Sequence, residues 1–407
     1  MRDGFAELLG RLRRGEETAE QAVAERLALV RAAHERTGAV AFFEDERALS
    51  DARALDRAFA GTGPVGPLHG LPITVKDWID VEGFPCAGET DDRERRPVRD
   101  AAAVARLRAA GAVVVAKTKP WGDVAHPGDP TRSVGGSSSG EAALVAAGAS
   151  VLGIGSDSGG SIRLPASWAG VWGLRPTAGR VPTTGHYPRV GLRSDGRTQI
   201  GPLADSVDAV ELALAVLAGP DGRDPAAAPV PLLSSTTVEL QGRRIAVIPG
   251  GAVPVVEAAV RRAGAALVAA GAVEVEWTFD WLPPAWDVTR RYWARAGGEP
   301  GLTGADVMRE LEDWDHYVHR YLRATADVDL IVTPATPDTA PLRSEPVEGE
   351  RFLHLLPASL VGAPALAVPA GADAAGLPIG VQIVGRLWED HVVLAAGRTV
   401  GAAVGRS

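Results

Sequence analysis

The chain has 407 residues, of which 46% are hydrophobic and 23% are charged, and its formal net charge at pH 7 is −9. This composition is typical of a globular protein with a sizeable core, and the acidic balance argues against nucleic acid or an anionic membrane as the main partner. One cysteine excludes an intrachain disulfide, no apolar stretch reaches the roughly 18 residues that cross a bilayer, and no signal peptide is recognisable, so we expect a cytoplasmic protein.

In chain order, the first 60 residues are predicted to form a helical segment that packs on the core. Ala, Leu, Glu and Arg dominate residues 16–34, where apolar side chains recur at helical spacing. From Leu71 onwards, short β-branched runs alternate with Ala-rich segments, which predicts an α/β sheet covered by helices on both faces. Strands are predicted at 71–75, 113–115, 244–248, 330–332, 365–368 and 381–384, and helices at 101–110, 255–270 and 390–404.

The second half of the chain begins after a Gly/Pro-rich stretch, 219–231, which is the best candidate for a linker. Because both halves show the same alternation of strands and helices, we favour one domain over two. The segment 277–321 is rich in aromatic residues, which line a substrate pocket or pack in the core. These residues are Trp277, Trp281, Trp286, Tyr292, Trp293, Trp314, Tyr317 and Tyr321.

Two clusters of glycine and serine, 135–141 and 155–163, flank an apolar run at 142–154. Dense glycines let the backbone approach a ligand and direct several N–H groups at one point, and a neighbouring hydroxyl can serve as a nucleophile. A flexible linker is the simpler interpretation of such clusters, but a linker does not need the apolar run between them. The two clusters therefore indicate a binding or catalytic site.

Within the second cluster, Ser161 follows Gly159 and Gly160, so the backbone N–H groups of this turn are candidates for an oxyanion site. A simple helix N-cap is the alternative for Ser161. None of the eight histidines lies in a recognisable partner motif for a serine nucleophile. His316 and His319 are one helical turn apart, but no further metal ligand accompanies them, so packed or solvated histidines are expected.

Lys76 is the more informative candidate for a base. It ends the apolar run 71–75, and a lysine at the buried end of a strand loses solvation, which favours its neutral form. An ordinary surface pair with Asp77 is the alternative. Lys117, after the run 113–115, is expected to be structural or to line a pocket.

Taken together and in order, these motifs closely resemble the amidase signature family. The resemblance rests on Gly70–Asp77, Gly135–Glu141 and Gly155–Arg163, and continues through Pro165–Ala166, Gly170–Thr177, Gly179–Val181, Gln199–Ala204, Gly362–Ala365 and Gly376–Gly385. It extends from about Leu68 to the end of the chain. It implies a single large α/β/α domain, 61–407, with a mixed central sheet.

The resemblance also implies a Ser–cisSer–Lys triad, which falls on Ser161, Ser137 and Lys76. It assigns the oxyanion site to the backbone around Ser158, Gly159 and Gly160, and a supporting role to Ser138, Asp157 and Arg163. The expected reaction is hydrolysis of a carbon–nitrogen bond in a small-molecule amide through an acyl-enzyme, without metal or organic cofactor. The acidic surface is compatible with a monomer or a homodimer.

Several alternatives use the same residues differently. An amidotransferase subunit that requires a partner, or an esterase or biosynthetic acyl transferase, would share the acyl-enzyme; a non-catalytic ligand-binding relative would not need the intact triad. A nucleotide phosphate cradle is disfavoured because no GxxxxGK[ST] run is present. The sequence departs from the family pattern at 121–127 and at Pro357–Ser359, where an asparagine is often found, so specificity is the least determined property.

Overall fold

A computed structural model describes residues 4–88, 95–187, 196–277, 282–296, 300–347 and 349–404. Its strands are β1 (Val40–Phe43), β2 (Pro72–Lys76), β3 (Val113–Thr118), β4 (Ala125–His126), β5 (Asp129–Ser133), β6 (Leu152–Asp157), β7 (Trp172–Arg175), β8 (Gln199–Ala204), β9 (Arg244–Val247), β10 (Val273–Glu274), β11 (Leu330–Pro334), β12 (Ala365–Ala372) and β13 (Pro378–Gly385). Its helices are α1 (Phe5–Arg14), α2 (Ala19–Thr37), α3 (Asp45–Thr62), α4 (Ala102–Ala109), α5 (Ser139–Ala146), α6 (Arg163–Ala169), α7 (Val207–Leu217), α8 (Pro254–Ala269), α9 (Leu282–Ala296), α10 (Gly304–Ala324), α11 (Leu356–Val361) and α12 (Asp390–Val404). Short 3₁₀ segments lie at Ser235–Thr237 and Gly349–Leu355.

The central feature is an 11-stranded mixed sheet with the order β1-β3-β2-β6-β8-β7-β12-β13-β11-β9-β10. Strands β3, β2 and β6 run parallel to one another, as do β11, β9 and β10, whereas the strands between these groups pair antiparallel. A separate antiparallel pair is formed by β4 and β5. Every strand on one side of the β7–β12 pairing precedes residue 205 in the chain, and every strand on the other side follows residue 243.

Helices cover both faces of this sheet because strand side chains alternate between two apolar layers. In β2, Ile73 and Val75 belong to the layer that includes side chains of α1, α4, α7, α8 and α12. On the opposite face, Val113 and Val115 of β3 pack with α2 and α5, and α9, α10 and α11 contribute a third apolar cluster. The fold predicted from the sequence is confirmed.

The predicted strands and helices occur with small shifts at their ends, but one element was not anticipated. Residues 1–60 were expected to be helical, yet β1 lies between α2 and α3 and pairs antiparallel with β3 at the sheet edge. Gly38 ends α2 in the left-handed conformation, with φ +68°, and the apolar run after it is then free to extend. The boundary placed at residue 60 stays a prediction.

The Gly/Pro-rich stretch at 219–231 adopts neither helix nor strand. It does not separate two cores, because β7, which precedes it, pairs with β12, which follows it. The protein is therefore a single α/β domain, as favoured from the sequence. Within the described ranges, no helix has the length and apolar character required to cross a membrane.

The topology brings the candidate catalytic residues to one edge of the sheet. Strands β2 and β6 are parallel neighbours, and they end at Lys76 and Asp157 respectively. Carboxyl ends of parallel strands meet at the same edge, which is where α/β proteins commonly place their sites. The two Gly/Ser clusters follow at this edge, one before α5 and one before α6.

Candidate active site

The shortest contact between predicted catalytic side chains joins Lys76 to Ser137. The side-chain nitrogen Nζ of Lys76 lies 2.5 Å from Ser137 Oγ and 3.2 Å from Ser156 Oγ, and it lies 3.9 Å from the centroid of the Trp78 ring. Lys76 and Ser137 have no solvent-exposed surface. The lysine is therefore a buried residue that contacts two hydroxyls, and the surface-pair interpretation with Asp77 is wrong.

Asp77 instead pairs with a different lysine. Its Oδ1 lies 3.4 Å from Nζ of Lys117, and both side chains are buried. Burial raises the pKa of Asp77, although the charge of Lys117 and the N–H groups of Ala87 and Gly88 oppose the shift. Lys117 is thus part of a buried ion pair next to the Lys76–Ser137 contact.

Ser137 follows a cis peptide bond from Gly136, as the family resemblance implied. The next residue, Ser138, connects this loop to the second cluster: its N–H donates to the carbonyl of Ser161 at 2.9 Å, and its hydroxyl donates to the carbonyl of Ser156 at 3.3 Å. Ser161 is 7% exposed, whereas Ser137 and Ser138 have no exposed surface. Among the described residues, no hydrogen bond joins the hydroxyls of Ser137 and Ser161.

A buried ion pair braces the turn that carries Ser161. Both carboxylate oxygens of Asp157 accept a hydrogen bond from Arg163, at 2.9 Å each. They also accept hydrogen bonds from the backbone N–H groups of Gly160 and Ile162. Burial alone would raise the pKa of Asp157, but the charge and hydrogen bonds of Arg163, with the charge of Arg175, hold it far below its usual range. Asp157, held in its ionised form by these contacts, therefore connects residues on both sides of Ser161.

Arg163 connects this turn to the C-terminal half of the chain. Its guanidinium donates to Leu355 O at 2.9 Å, Gln382 Oε1 at 2.5 Å and Ser359 Oγ at 2.7 Å. Ser359 belongs to the Pro357–Ser359 departure from the family pattern, and its hydroxyl gives Arg163 an acceptor there. Ser138, Asp157 and Arg163, predicted as supporting residues, all lie around the Ser161 turn.

The backbone N–H groups of the turn are not equivalent. The N–H of Gly160, predicted as part of the oxyanion site, donates to Asp157 Oδ1 at 2.7 Å. Within the described part of the chain, the N–H groups of Ser158, Gly159 and Ser161 have no hydrogen-bond acceptor. A developing negative charge beside Ser161 would find donors among these remaining groups.

Sequence reasoning missed a buried carboxyl group beneath Lys76. Glu141, on α5, accepts hydrogen bonds from Thr74 on β2 and, at 2.7 Å, from Thr118 on β3. Burial, offset in part by these hydroxyls and by the charges of Lys76 and Lys117, raises the pKa of Glu141 to about 7. Because α5 begins two residues after Ser137, this contact fixes the helix that follows Ser137 to the strand that carries Lys76. A carboxylate at the end of the first Gly/Ser cluster, directly before the apolar run 142–154, was the available signal.

A second missed contact involves a histidine that was expected to be merely packed or solvated. Nε2 of His186 lies 2.9 Å from Ser156 Oγ, the hydroxyl that also contacts Lys76, and the His186 ring packs edge-on against Trp78. His126 is a packed histidine as expected, bonded to the carbonyl of Trp168. Nothing in the local sequence distinguishes the two, since only the fold brings residue 186 to the end of β6. In the described ranges, no three potential metal-ligating side chains are grouped.

A cavity of about 270 Å³ lies beside the first Gly/Ser cluster. Trp121, Val124, Gly135, Arg343 and Val347 contribute to its lining. The ring of Trp121 packs on the backbone of Gly136, where a Cβ would come within 2.4 Å of it, so only glycine fits beneath this ring. The departure from the family pattern at 121–127 thus falls next to the cis peptide.

The aromatic segment lies on the other side of the Ser161 turn, on α9 and α10. Trp286, Trp293 and Phe352 pack edge-to-face, and a Cβ on Gly159 would lie 2.9 Å from Trp293. Tyr292, Trp314, Tyr317 and Tyr321 are buried in the same apolar cluster. Trp281 lies outside the described residues. The segment therefore both packs in the core and forms a wall against the turn.

The chain is similar to known amidases in sequence and in fold. The family model described as Amidase matches residues 21–300 and 302–394. The chain is 34% identical to AtzE, a 1-carboxybiuret hydrolase subunit from Pseudomonas sp. (strain ADP), over 87% of this chain and 88% of that protein. It is 31% identical to one subunit of the glutamyl-tRNA(Gln) amidotransferase of Rhodopirellula baltica, over 96% of this chain and 94% of that protein. Among solved structures, a chain of an inhibitor-bound vestigial protein complex, described as revealing the evolutionary origins of an s-triazine catabolic enzyme, superposes with a TM-score of 0.87 at 28% identity, covering 98% of both chains.

Proposed function

We propose that this chain, which belongs to the amidase signature family and is an amide hydrolase, cleaves a carbon–nitrogen bond of a small-molecule amide with Ser161 as the nucleophile. Ser137 transfers the proton and Lys76 is the base. The observation that carries the proposal is the 2.5 Å contact between Lys76 Nζ and Ser137 Oγ, both buried. A buried lysine bonded to a serine hydroxyl is placed to accept a proton from it.

The proposed reaction has two halves. In the first, neutral Lys76 takes the proton of Ser137, Ser137 takes the proton of Ser161, and Ser161 Oγ bonds to the amide carbonyl carbon. The tetrahedral oxyanion accepts hydrogen bonds from the N–H groups of Gly159 and Ser161. The carbon–nitrogen bond then breaks, and the proton returns from Lys76 through Ser137 to the departing amine. In the second, water loses a proton through Ser137 to Lys76 and attacks the ester carbonyl. The ester C–O bond then breaks, the proton returns through Ser137 to Ser161 Oγ, and the acid is released.

The cavity lined by Trp121 and Arg343 lies next to the peptide that precedes Ser137 and is the proposed place for one arm of the substrate. The lining combines the apolar ring of Trp121 with the ion pair of Arg343 and Asp123, which suits a small amide with one apolar and one polar end. The relatives act on different compounds, so substrate identity is a matter for screening. A panel of aryl, alkyl and carboxylated amides, with ammonia and amine release as readouts, is the direct approach.

The test of the nucleophile is the mass of the intact protein after treatment with a fluorophosphonate probe. We expect one adduct on the wild type, none on Ser161→Ala, and labelling slowed by about 10²–10⁴-fold on Lys76→Ala, the range that general-base catalysis contributes. Ser167→Ala is the matched control, because Ser167 is likewise a buried serine, on the helix α6 that follows Ser161, but bonds Thr336 instead of a catalytic group. Labelling of Ser161→Ala at the wild-type rate would refute the assignment.

A second candidate function is that of an amidotransferase component, favoured by the similarity to one subunit of glutamyl-tRNA(Gln) amidotransferase. In that case the same acyl-enzyme would release ammonia from glutamine or asparagine to an acceptor, in the presence of a partner subunit. Turnover of simple amides by the purified chain alone supports the hydrolase. Ammonia release from glutamine that appears only with a partner supports the amidotransferase instead, and hydroxamate formation with added hydroxylamine reports acyl transfer.

A further inference from the structure

A buried arginine contacts the carbonyl side of the Ser161 turn. Arg197 lies just before β8, whose first residue, Gln199, pairs with Asp157 at the end of β6. The Nε–H of Arg197 donates to the carbonyl oxygen of Ser158 at 2.6 Å, and its Nη2 donates to Thr289 Oγ1 on α9 at 2.7 Å. The side chain has no exposed surface. It therefore directs a desolvated positive charge at the backbone of the turn.

Aromatic side chains of α9 and α10 surround this guanidinium. Its Cζ lies 4.5 Å from the ring centroid of Tyr292, 5.9 Å from that of Trp293 and 6.0 Å from that of Trp314. Ring faces attract a cation, and they do so more strongly when the cation is removed from water. We call these three rings and Thr289 the Arg197 cage. The cage contributes to the stabilisation of the buried guanidinium, and the contacts to Ser158 and Thr289 orient its Nε–H.

The carbonyl that Arg197 contacts is chemically linked to a candidate oxyanion donor. The C=O of Ser158 and the N–H of Gly159 belong to the same planar peptide group, whose resonance couples oxygen and nitrogen. A charged donor on the oxygen draws electron density from the nitrogen, so the N–H becomes a stronger donor, and hydrogen bonds in such a chain reinforce each other. Among the described residues, the Gly159 N–H has no other acceptor, which leaves it available.

We propose that Arg197, held by its aromatic cage, is a positioning residue that polarises the Ser158–Gly159 peptide and strengthens the Gly159 N–H toward the oxyanion. The inference rests on the proposed function, since it needs an oxyanion beside Ser161. It gives the aromatic segment a catalytic purpose beyond packing, because the rings hold the charge that acts on the turn. No substrate contact by Arg197 is required.

The experiment measures the rate constant of fluorophosphonate labelling, because the phosphoryl oxygen of this probe occupies the oxyanion site. Removing a whole oxyanion donor costs about 10²–10³-fold, so weakening one is expected to slow Arg197→Met by about 10–100-fold. Arg197→Lys keeps a positive charge but lacks the planar guanidinium that contacts both Ser158 and Thr289. Its labelling rate should therefore fall between those of the wild type and Arg197→Met. Because Arg197 does not supply or accept the proton, the pH dependence of labelling should keep the wild-type shape.

Arg180→Met is the matched control. Arg180 is an equally buried arginine that stacks on Trp388 and bonds Asp390, away from the Ser161 turn. It should lower the melting temperature while leaving the labelling rate within about twofold of the wild type. Tyr292→Leu, which loosens the cage without removing the guanidinium, is a second variant should Arg197→Met fail to fold, and it is expected to slow labelling by a smaller factor.

The outcomes separate this inference from the proposed function. If the wild type is not labelled at Ser161, the proposed function fails and the inference fails with it. If the wild type is labelled but folded Arg197→Met and Tyr292→Leu react at its rate, only the polarising role is overturned, and Arg197 is a structural residue. If Arg197→Met is labelled slowly and the pH dependence of its labelling also differs from that of the wild type, the substitution acts through Lys76. That result would likewise overturn the proposed polarising role.

Discussion

Replacing Glu141 by glutamine is expected to change the pH dependence of stability. In the folded protein, burial raises the pKa of Glu141 from an ordinary value of 4.5 to about 7. The folded state therefore binds this proton more tightly than the unfolded state. The stabilising contribution of the protonated carboxyl group is fully present below pH 4.5 and is lost as the pH rises through about 7. Glutamine cannot ionise, so the variant lacks this loss.

The size of the effect follows from the shift. A rise from 4.5 to about 7, at about 1.4 kcal/mol for each pKa unit, corresponds to about 3 kcal/mol of unfolding free energy. Glutamine has the shape of glutamic acid and can accept from one threonine while donating to the other, so both contacts to Thr74 and Thr118 are kept. The difference in unfolding free energy between Glu141→Gln and the wild type should therefore increase by about 3 kcal/mol, in favour of the variant, from acidic to mildly alkaline pH.

The assay is urea denaturation of both proteins at a series of pH values on either side of neutrality. Plotting the difference in unfolding free energy removes groups that titrate equally in both proteins, including Asp77. Glu25→Gln, at an exposed position of α2, is the matched control and should show a flat difference. Parallel curves for the wild type and Glu141→Gln would refute the reasoning, because Glu141 would then ionise as readily in the folded chain as in the unfolded one.

Three further predictions concern the packing around the site. Asp157→Ala should lower the unfolding free energy by about 3–5 kcal/mol, because it leaves Arg163 buried without its ion pair; calorimetry checks this. Gly140→Ala should destabilise the fold by about 1–3 kcal/mol although alanine has the better helix propensity, because its Cβ would lie 2.3 Å from a backbone carbonyl oxygen. Gly61→Ala has open space around the new Cβ and should be neutral or stabilising. Chemical denaturation of both variants distinguishes packing from helix propensity. Burial raises the pKa of Cys86 to about 12, so iodoacetamide should leave the native mass unchanged and add one group only after denaturation; labelling of the native protein would contradict the burial.

Residues that are close in sequence were the predictable part of the site. Lys76, the two Gly/Ser clusters and the alternation of strands and helices are local patterns, and the fold gathers them where two parallel strands end. The burial of Lys76 followed from the apolar run that it terminates. Asp157 and Arg163 are six positions apart, so their supporting role could be read from one motif.

Contacts between distant segments could not be predicted in this way. Arg197 and Thr289 are 92 residues apart, and His186 meets Ser156 only because the chain returns to the end of β6. The order in which β8 and β7 follow β6 in the sheet is not encoded in any local pattern. Likewise, whether Gly160 offers its N–H to a ligand or to Asp157 depends on the rotamer of one side chain, which composition and spacing do not specify.

The pairing of β7 with β12 has a consequence for how the protein loses activity on heating. It is where strands from before and after the 219–231 stretch meet, through the register pairs Gly173–Ala367, Leu174–Leu366 and Arg175–Ala365. Arg163 reaches across this boundary to Ser359 and Gln382, so parting of the two half-sheets would remove these contacts from the Ser161 turn. Heating that disrupts this pairing is therefore expected to disturb the turn that carries Ser161.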